Sequence, residues 1–140
     1  MIHSVITSWT LFFALLMISA GGGLQNVLLG TRAPEIGFSN MATGFVMSGY
    51  FVGMFFGSIF VPSILAAVGH VRVFGAMSAI ASAAVLMHVA FGEPILWALM
   101  RFASGFGFAG MYIVCESWLN DKANNENRGQ LLSLYMIVNI

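Results

Sequence analysis

The sequence predicts an all-α membrane protein with four full transmembrane helices and a truncated fifth. Three observations predict it. Of the 140 residues, 59% are hydrophobic and only 7% charged, where soluble domains are roughly one quarter charged. Charges and turn residues divide the chain into four apolar segments, each long enough to cross a hydrocarbon core of about 30 Å. The connectors TRAPEIGFSN, GHVR, GEP and NDKANNENRGQ are short and polar. Backbone amides find no water in hydrocarbon, so each crossing segment must be helical.

The first helix is predicted over residues 5–29. Its start resembles a signal peptide ending in ISA before Gly21, but a positive leading region is lacking and the apolar run continues to Leu29, so the segment reads as a retained span. Three glycines, Gly21 to Gly23, loosen it, and Gln25 and Asn26 then place two amides inside the membrane. The second helix, 41–68, carries Gly49, Gly53 and Gly57 at four-residue spacing, a face that another backbone can approach closely. The third, 73–92, holds the small-residue run VFGAMSAIASAAV and is expected to fit against that glycine face. Brief connectors make consecutive helices antiparallel neighbours.

The fourth helix, 94–119, is the unusual one, because it carries Arg101 and Glu116 within apolar surroundings. At about 100° per residue, Gly105, Phe108, Tyr112 and Cys115 lie within roughly 40° of Arg101, and Ser104 and Glu116 within roughly 60°. The two ions stand about 22 Å apart along the axis and cannot pair with each other. An arginine at mid-helix costs about 2.5 to 3.5 kcal/mol and nearly always faces protein or a wet cavity. Arg101 therefore reads as an interior hydrogen-bond hub, as a substrate or proton-coupling group, or as a side chain snorkelling outward past Pro94. For Glu116 the readings are an ion pair with Arg128 or Arg72, or a protonatable coupling carboxylate. Gly107 joins Gly105 as a packing position.

The fifth segment, 131–140, is LLSLYMIVNI, about 15 Å of helix. It reaches halfway across the bilayer. A terminal carboxylate there is costly, so the chain is expected to be a fragment of a longer protein. The alternative is an interfacial helix, although the segment lacks the charged face of that class.

Composition excludes several functions. With 5 basic and 5 acidic side chains no basic face exists for nucleic acid. Cys115 is the single cysteine, and His3, His70 and His88 are scattered, so neither a disulfide framework nor a metal set is expected. There is no glycine loop with lysine and no nucleophile with a histidine base, so no enzyme and no cofactor are expected. Arg72, Lys122 and Arg128 fall on one side with the N-terminus, against Arg32 alone on the other, which predicts a cytoplasmic N-terminus.

The string RFASGFGFAG, with Arg101 followed by Gly105, Gly107 and Ala109, resembles the fourth-helix motif of the major facilitator superfamily. Ser104 stands where that motif commonly has glutamine. The connector GHVR matches the family's loop motif at Gly69 and Arg72, with Arg128 on the same side, but the motif's acidic residue is absent, so its usual gating ion pair cannot form here in the usual way. GHVRVF, ESWLN and ENRGQLLSLYM together are similar to an uncharacterised bacterial transporter subfamily. The resemblance covers essentially the whole chain, as the first four and a half of twelve helices. It implies two six-helix halves, alternating access around a midplane site, and transport of a small solute, with proton-coupled export associated with the arginine. It implies a bacterial inner membrane, a lipid bilayer and small-molecule substrate as partners, and contact with the remaining helices of the full-length transporter. Gln25, Asn26, Ser104 and Tyr112 become candidate cavity-lining groups, and Arg101 and Glu116 candidates for transport or coupling. The alternatives are a small four-helix exporter, which would depend on a first-helix glutamate that residues 1–30 lack, and a non-transporting scaffold subunit.

Overall fold

A computed structural model describes residues 2–122, 126 and 128–139. They form five helices: α1 Ile2–Glu35, α2 Asn40–Val68, α3 His70–Ala90, α4 Pro94–Lys122 and α5 Arg128–Asn139. The first four are long and apolar enough to cross a membrane.

The helix ends follow from local chemistry. α1 continues six residues past the expected Leu29 and takes Pro34 into its last turn. Proline lacks a donor but keeps an acceptor. The Pro34 carbonyl accepts from Gly37 N–H at 3.1 Å, and Ala33 accepts from Phe38 at 3.0 Å, the paired bonds of a Schellman stop. Gly37 adopts φ 95°, which a side chain would resist. Ala33 and Phe38, the two flanking apolar residues, are both buried. Ser39 then caps α2, its hydroxyl accepting from Ala42 N–H at 3.1 Å. A single residue, Gly69 at φ 100°, ends α2 and begins α3. α3 therefore starts at His70, three residues earlier than expected. Pro94 opens α4, where its missing donor costs nothing.

α4 is the central post. Its apolar window is 56% buried, against 17% for α2. The glycine face of α2 meets α4, not α3 as the sequence suggested. A methyl group at Gly53 would strike the Phe102 carbonyl, and one at Gly105 the Tyr50 carbonyl. Gly57 faces the Ala109 side chain. The reason is that close approach needs small residues on both partners, and α4 supplies Gly105 and Ala109 in register with the α2 stripe. The small residues of α3 serve the other side of α4, where Gly107 faces the Met77 carbonyl and Ala81, and Gly110 faces the Met77 side chain. α2 and α3, though joined through one residue, touch little. Leu15, Val61, Val73, Val114 and Cys115 complete the main apolar core. A smaller cluster of Leu29, Ala33, Phe38, Val46 and Trp97 closes the opposite end.

Candidate functional site

Side chains of α1 and α4 meet along a seam of three polar contacts. The Ser19 and Tyr112 hydroxyls lie 3.2 Å apart. The Gln25 amide donates to the Ser104 hydroxyl at 3.2 Å. One residue further on, the Asn26 side-chain oxygen accepts from the Arg101 guanidinium. Residue numbers rise on α1 as they fall on α4, so the helices run antiparallel. Of the three, the arginine rung carries the charge.

Arg101 is 1% exposed. Its guanidinium carbon stands 4.4 Å from the Tyr50 ring centre, so α2 supplies an aromatic face beneath the cation. Nε and Nη1 have no partner among the described residues. The charge does not snorkel; it ties α1, α2 and α4 together at one depth. Gly49 and Gly53 flank Tyr50 in the sequence, and the close α2–α4 approach delivers the ring to the cation. Tyr50 was missed from the sequence for that reason: its role depends on which helix the glycine stripe meets. Ser19 and His88 were missed too, since isolated polar residues on apolar helices give no spacing signal.

A groove of about 890 Å³ lies beside the seam, between α1 and α3, with Trp97, Phe108 and Met111 of α4 at its base. Of the four residues expected to line a cavity, Gln25 lines this one, while Asn26, Ser104 and Tyr112 lie in the seam. His88 lines it from α3; its Nδ1 donates to the Ala84 carbonyl at 2.7 Å, and its ring meets Trp97 edge-on at 5.2 Å.

At the other end of α4, Glu116 is exposed. Its partner is the Tyr135 hydroxyl of α5, and no ion pair to Arg72 or Arg128 forms among the described residues. The helices explain the difference: Arg72 and Arg128 are both exposed on their own elements, whereas Tyr135 is partly buried against the core beside α4. The link between the α2–α3 connector and α4 is made instead by His70. Its Nε2 lies 3.0 Å from the Ser117 hydroxyl and 3.6 Å from the Asp121 carboxylate, and its ring stacks on Trp118 at 5.4 Å. Cys115 is buried and reduced. No group of three His, Cys, Asp or Glu side chains among the described residues is placed to hold a metal ion.

Four apolar helices long enough to span a bilayer, one of them a central post that buries a cation, define a multi-pass membrane protein. The Major Facilitator Superfamily model matches residues 11–140, and the chain belongs to that family. It is 30% identical over 131 residues to the uncharacterized MFS-type transporter YcaD of Salmonella arizonae, and equally so to that of Salmonella newport and of Salmonella typhimurium. Each alignment covers 91% of this chain and 34% of the relative, so the chain spans about one third of the relatives' length. No solved structure matches it.

Proposed function

We propose that the chain forms the leading part of a secondary active transporter for a small solute, within the first of two six-helix halves that alternate access across a bacterial inner membrane. The N-terminus faces the cytoplasm, following the Lys and Arg distribution. Proton-coupled export is the favoured mode, because Arg101 occupies the motif position associated with it. This is a transporter and not an enzyme.

The observation that carries the reading is the Arg101 hub. A membrane-buried cation is kept where it serves a moving or coupling element, and this one joins three helices through one amide and one aromatic ring. Ser104 replaces the family's usual glutamine, yet the carboxamides reappear on α1: Asn26 accepts from Arg101 and Gln25 donates to Ser104. A rigid-body shift of α1 against α4 would break these contacts together, which gives the transport cycle a polar latch. Glu116 serves as a secondary coupling candidate through Tyr135.

The test uses inverted membrane vesicles from cells expressing the full-length transporter of which the chain is proposed to be part, energised and monitored with a pH-gradient dye. A panel of cationic, zwitterionic and anionic small solutes is then added. At least one solute should dissipate the gradient; Arg101→Ala should abolish the response, and Arg101→Lys should retain part of it. Unchanged dissipation in Arg101→Ala membranes would remove Arg101 from the mechanism.

A further inference from the structure

The guanidinium of Arg101 holds more donors than the described residues use. Asn26 accepts from Nη2, while the buried Nε and Nη1 have no partner among them. A guanidinium carries its five N–H groups in one plane, and Nη2 belongs to two donor forks, one shared with Nε and one with Nη1. A single oxygen, Asn26 Oδ1, takes one of these edges, so the other fork keeps two parallel N–H groups. That is the geometry that receives a carboxylate through two bonds. The Tyr50 ring lies over a face of the cation and leaves its edges free.

Charge is unmatched as well. Buried charges are ordinarily paired, yet no carboxylate among the described residues pairs with Arg101. The nearest acids along the helices are Glu93, eight residues before Arg101, Glu35, nine past Asn26 on α1, and Glu116, fifteen past Arg101. Each is therefore at least about 12 Å away along the axis. The polar groups close by are neutral hydroxyls: Tyr50 interacts electrostatically with both Arg101 and Tyr112, and the Tyr112 hydroxyl meets that of Ser19.

The enclosure of the cation narrows what its counter-ion can be. With Arg101 1% exposed, α1, α2 and α4 already cover the guanidinium, so a further helix packed outside them cannot bring a carboxylate to it. A small anion reaches it once α1 shifts, because Asn26 leaves with α1 and frees the Nη2 donor in the same step. A cationic solute would be repelled there, and a neutral one would gain no charge-assisted bond.

We propose that Arg101 is a substrate-anion site: the transported solute is a small organic anion whose carboxylate binds the Arg101 fork in competition with Asn26. The inference deepens the transporter reading and rests on it. It also assigns Asn26 a role beyond packing, since amide and solute alternate on one cation.

Competition supplies the test. The full-length transporter of which the chain is proposed to be part is purified in neutral detergent, and its thermal transition is followed by tryptophan fluorescence. It is titrated with carboxylates and with the amide and amine of the same carbon frame: butyrate, butyramide and butylamine; phenylacetate, phenylacetamide and phenethylamine; succinate, succinamide and 1,4-diaminobutane. At least one carboxylate should raise the transition saturably, with half-saturation about 10-fold or more below that of its amide, as a hydrogen bond to a charged group gives. Asn26→Asp places a tethered carboxylate on the same donors, so it should raise the transition without solute and weaken the carboxylate about 10-fold or more. Asn26→Ala removes the competitor and should bind that carboxylate at least as tightly as the unmodified protein. A merely structural Asn26 would move both variants the same way. No preference for any carboxylate over its amide and amine overturns the proposal, as does unchanged affinity in Asn26→Asp or an equal loss in Asn26→Ala. The first comparison needs no variant, and none removes the arginine. If the pH gradient is dissipated by an amine or amide while no carboxylate binds, this inference falls and the transporter reading stands; carboxylate binding without any solute-driven dissipation has the opposite meaning.

Discussion

At the scale of single residues, the informative side chain is Arg101. A buried guanidinium keeps its charge stable only through the groups around it, and here Asn26 and the Tyr50 ring are those groups. Removing Asn26 leaves the cation with one fewer partner, a change that typically costs about 1 to 3 kcal/mol. Replacing both partners with apolar residues removes the uncompensated charge and can be nearly neutral. We therefore expect Asn26→Leu to lower stability in detergent by about 1 to 3 kcal/mol, and Asn26→Leu with Arg101→Met to recover most of the loss. Denaturant titration of the four proteins in the cycle checks it; additive losses would mean that the two side chains do not interact. The same logic separates Arg101 from Glu116. Glu116 is exposed and bonded to Tyr135, so its removal bears on the α4–α5 contact and little on the core.

At the scale of helices, glycines divide into two populations that the sequence does not distinguish. Gly53 and Gly105 stand where α2 and α4 backbones touch, and a methyl at either would meet a main-chain carbonyl that cannot rotate away. Gly23 and Gly30 of α1 have nothing within 4 Å of such a methyl. Gly53→Ala is expected to force α2 off α4 and destabilise by about 1 to 3 kcal/mol or more, as overpacking does. Gly23→Ala should be neutral or stabilising by up to about 1 kcal/mol, the helix-propensity difference. Thermal melts of the two variants side by side check the contrast, and a neutral Gly53→Ala would show that the α2–α4 contact is looser than the structure requires. The seam between α1 and α4 is held differently, by hydrogen bonds and not by backbone proximity. Steric contact resists sliding, whereas exchangeable polar contacts resist it less, so the proposed transport cycle would move α1 rather than α2 against α4.

At the scale of the whole molecule, alternating helix direction places the α1–α2 and α3–α4 turns on one face of the membrane and the α2–α3 connector, with the start of α5, on the other. With the N-terminus cytoplasmic, a cysteine at Glu35 lies outside and one at Gln130 inside. Both positions are exposed, and the native Cys115 is buried. In Cys115→Ser chains, a membrane-impermeant maleimide should label Glu35→Cys in intact spheroplasts and label Gln130→Cys only after lysis. The reverse pattern would invert the assigned topology. At the α2–α3 connector the acidic residue usual in the family's loop is missing, and His70 joins Ser117, Trp118 and Asp121 in its stead. The connector is thus bound to the end of α4, the same post that holds the arginine near the other face.

What the sequence determined by itself was the number of apolar helices long enough to cross and the presence of a costly cation in the fourth. Those follow from hydrocarbon length, backbone hydrogen bonding and the penalty on buried charge, all of which act within one segment. The RFASGFGFAG string also carried the family. Partner choice was decided only by the tertiary structure. The glycine stripe of α2 is equally suited to any small-residue helix, and only the assembled bundle sets it against Gly105 and Ala109, leaving the Ala and Ser residues of α3 for the opposite flank of α4. Asn26 and Tyr50 became the partners of Arg101 for the same reason. Contacts between residues so far apart in the chain depend on how three cylinders pack, and helical periodicity reports a residue's face but not what that face will meet.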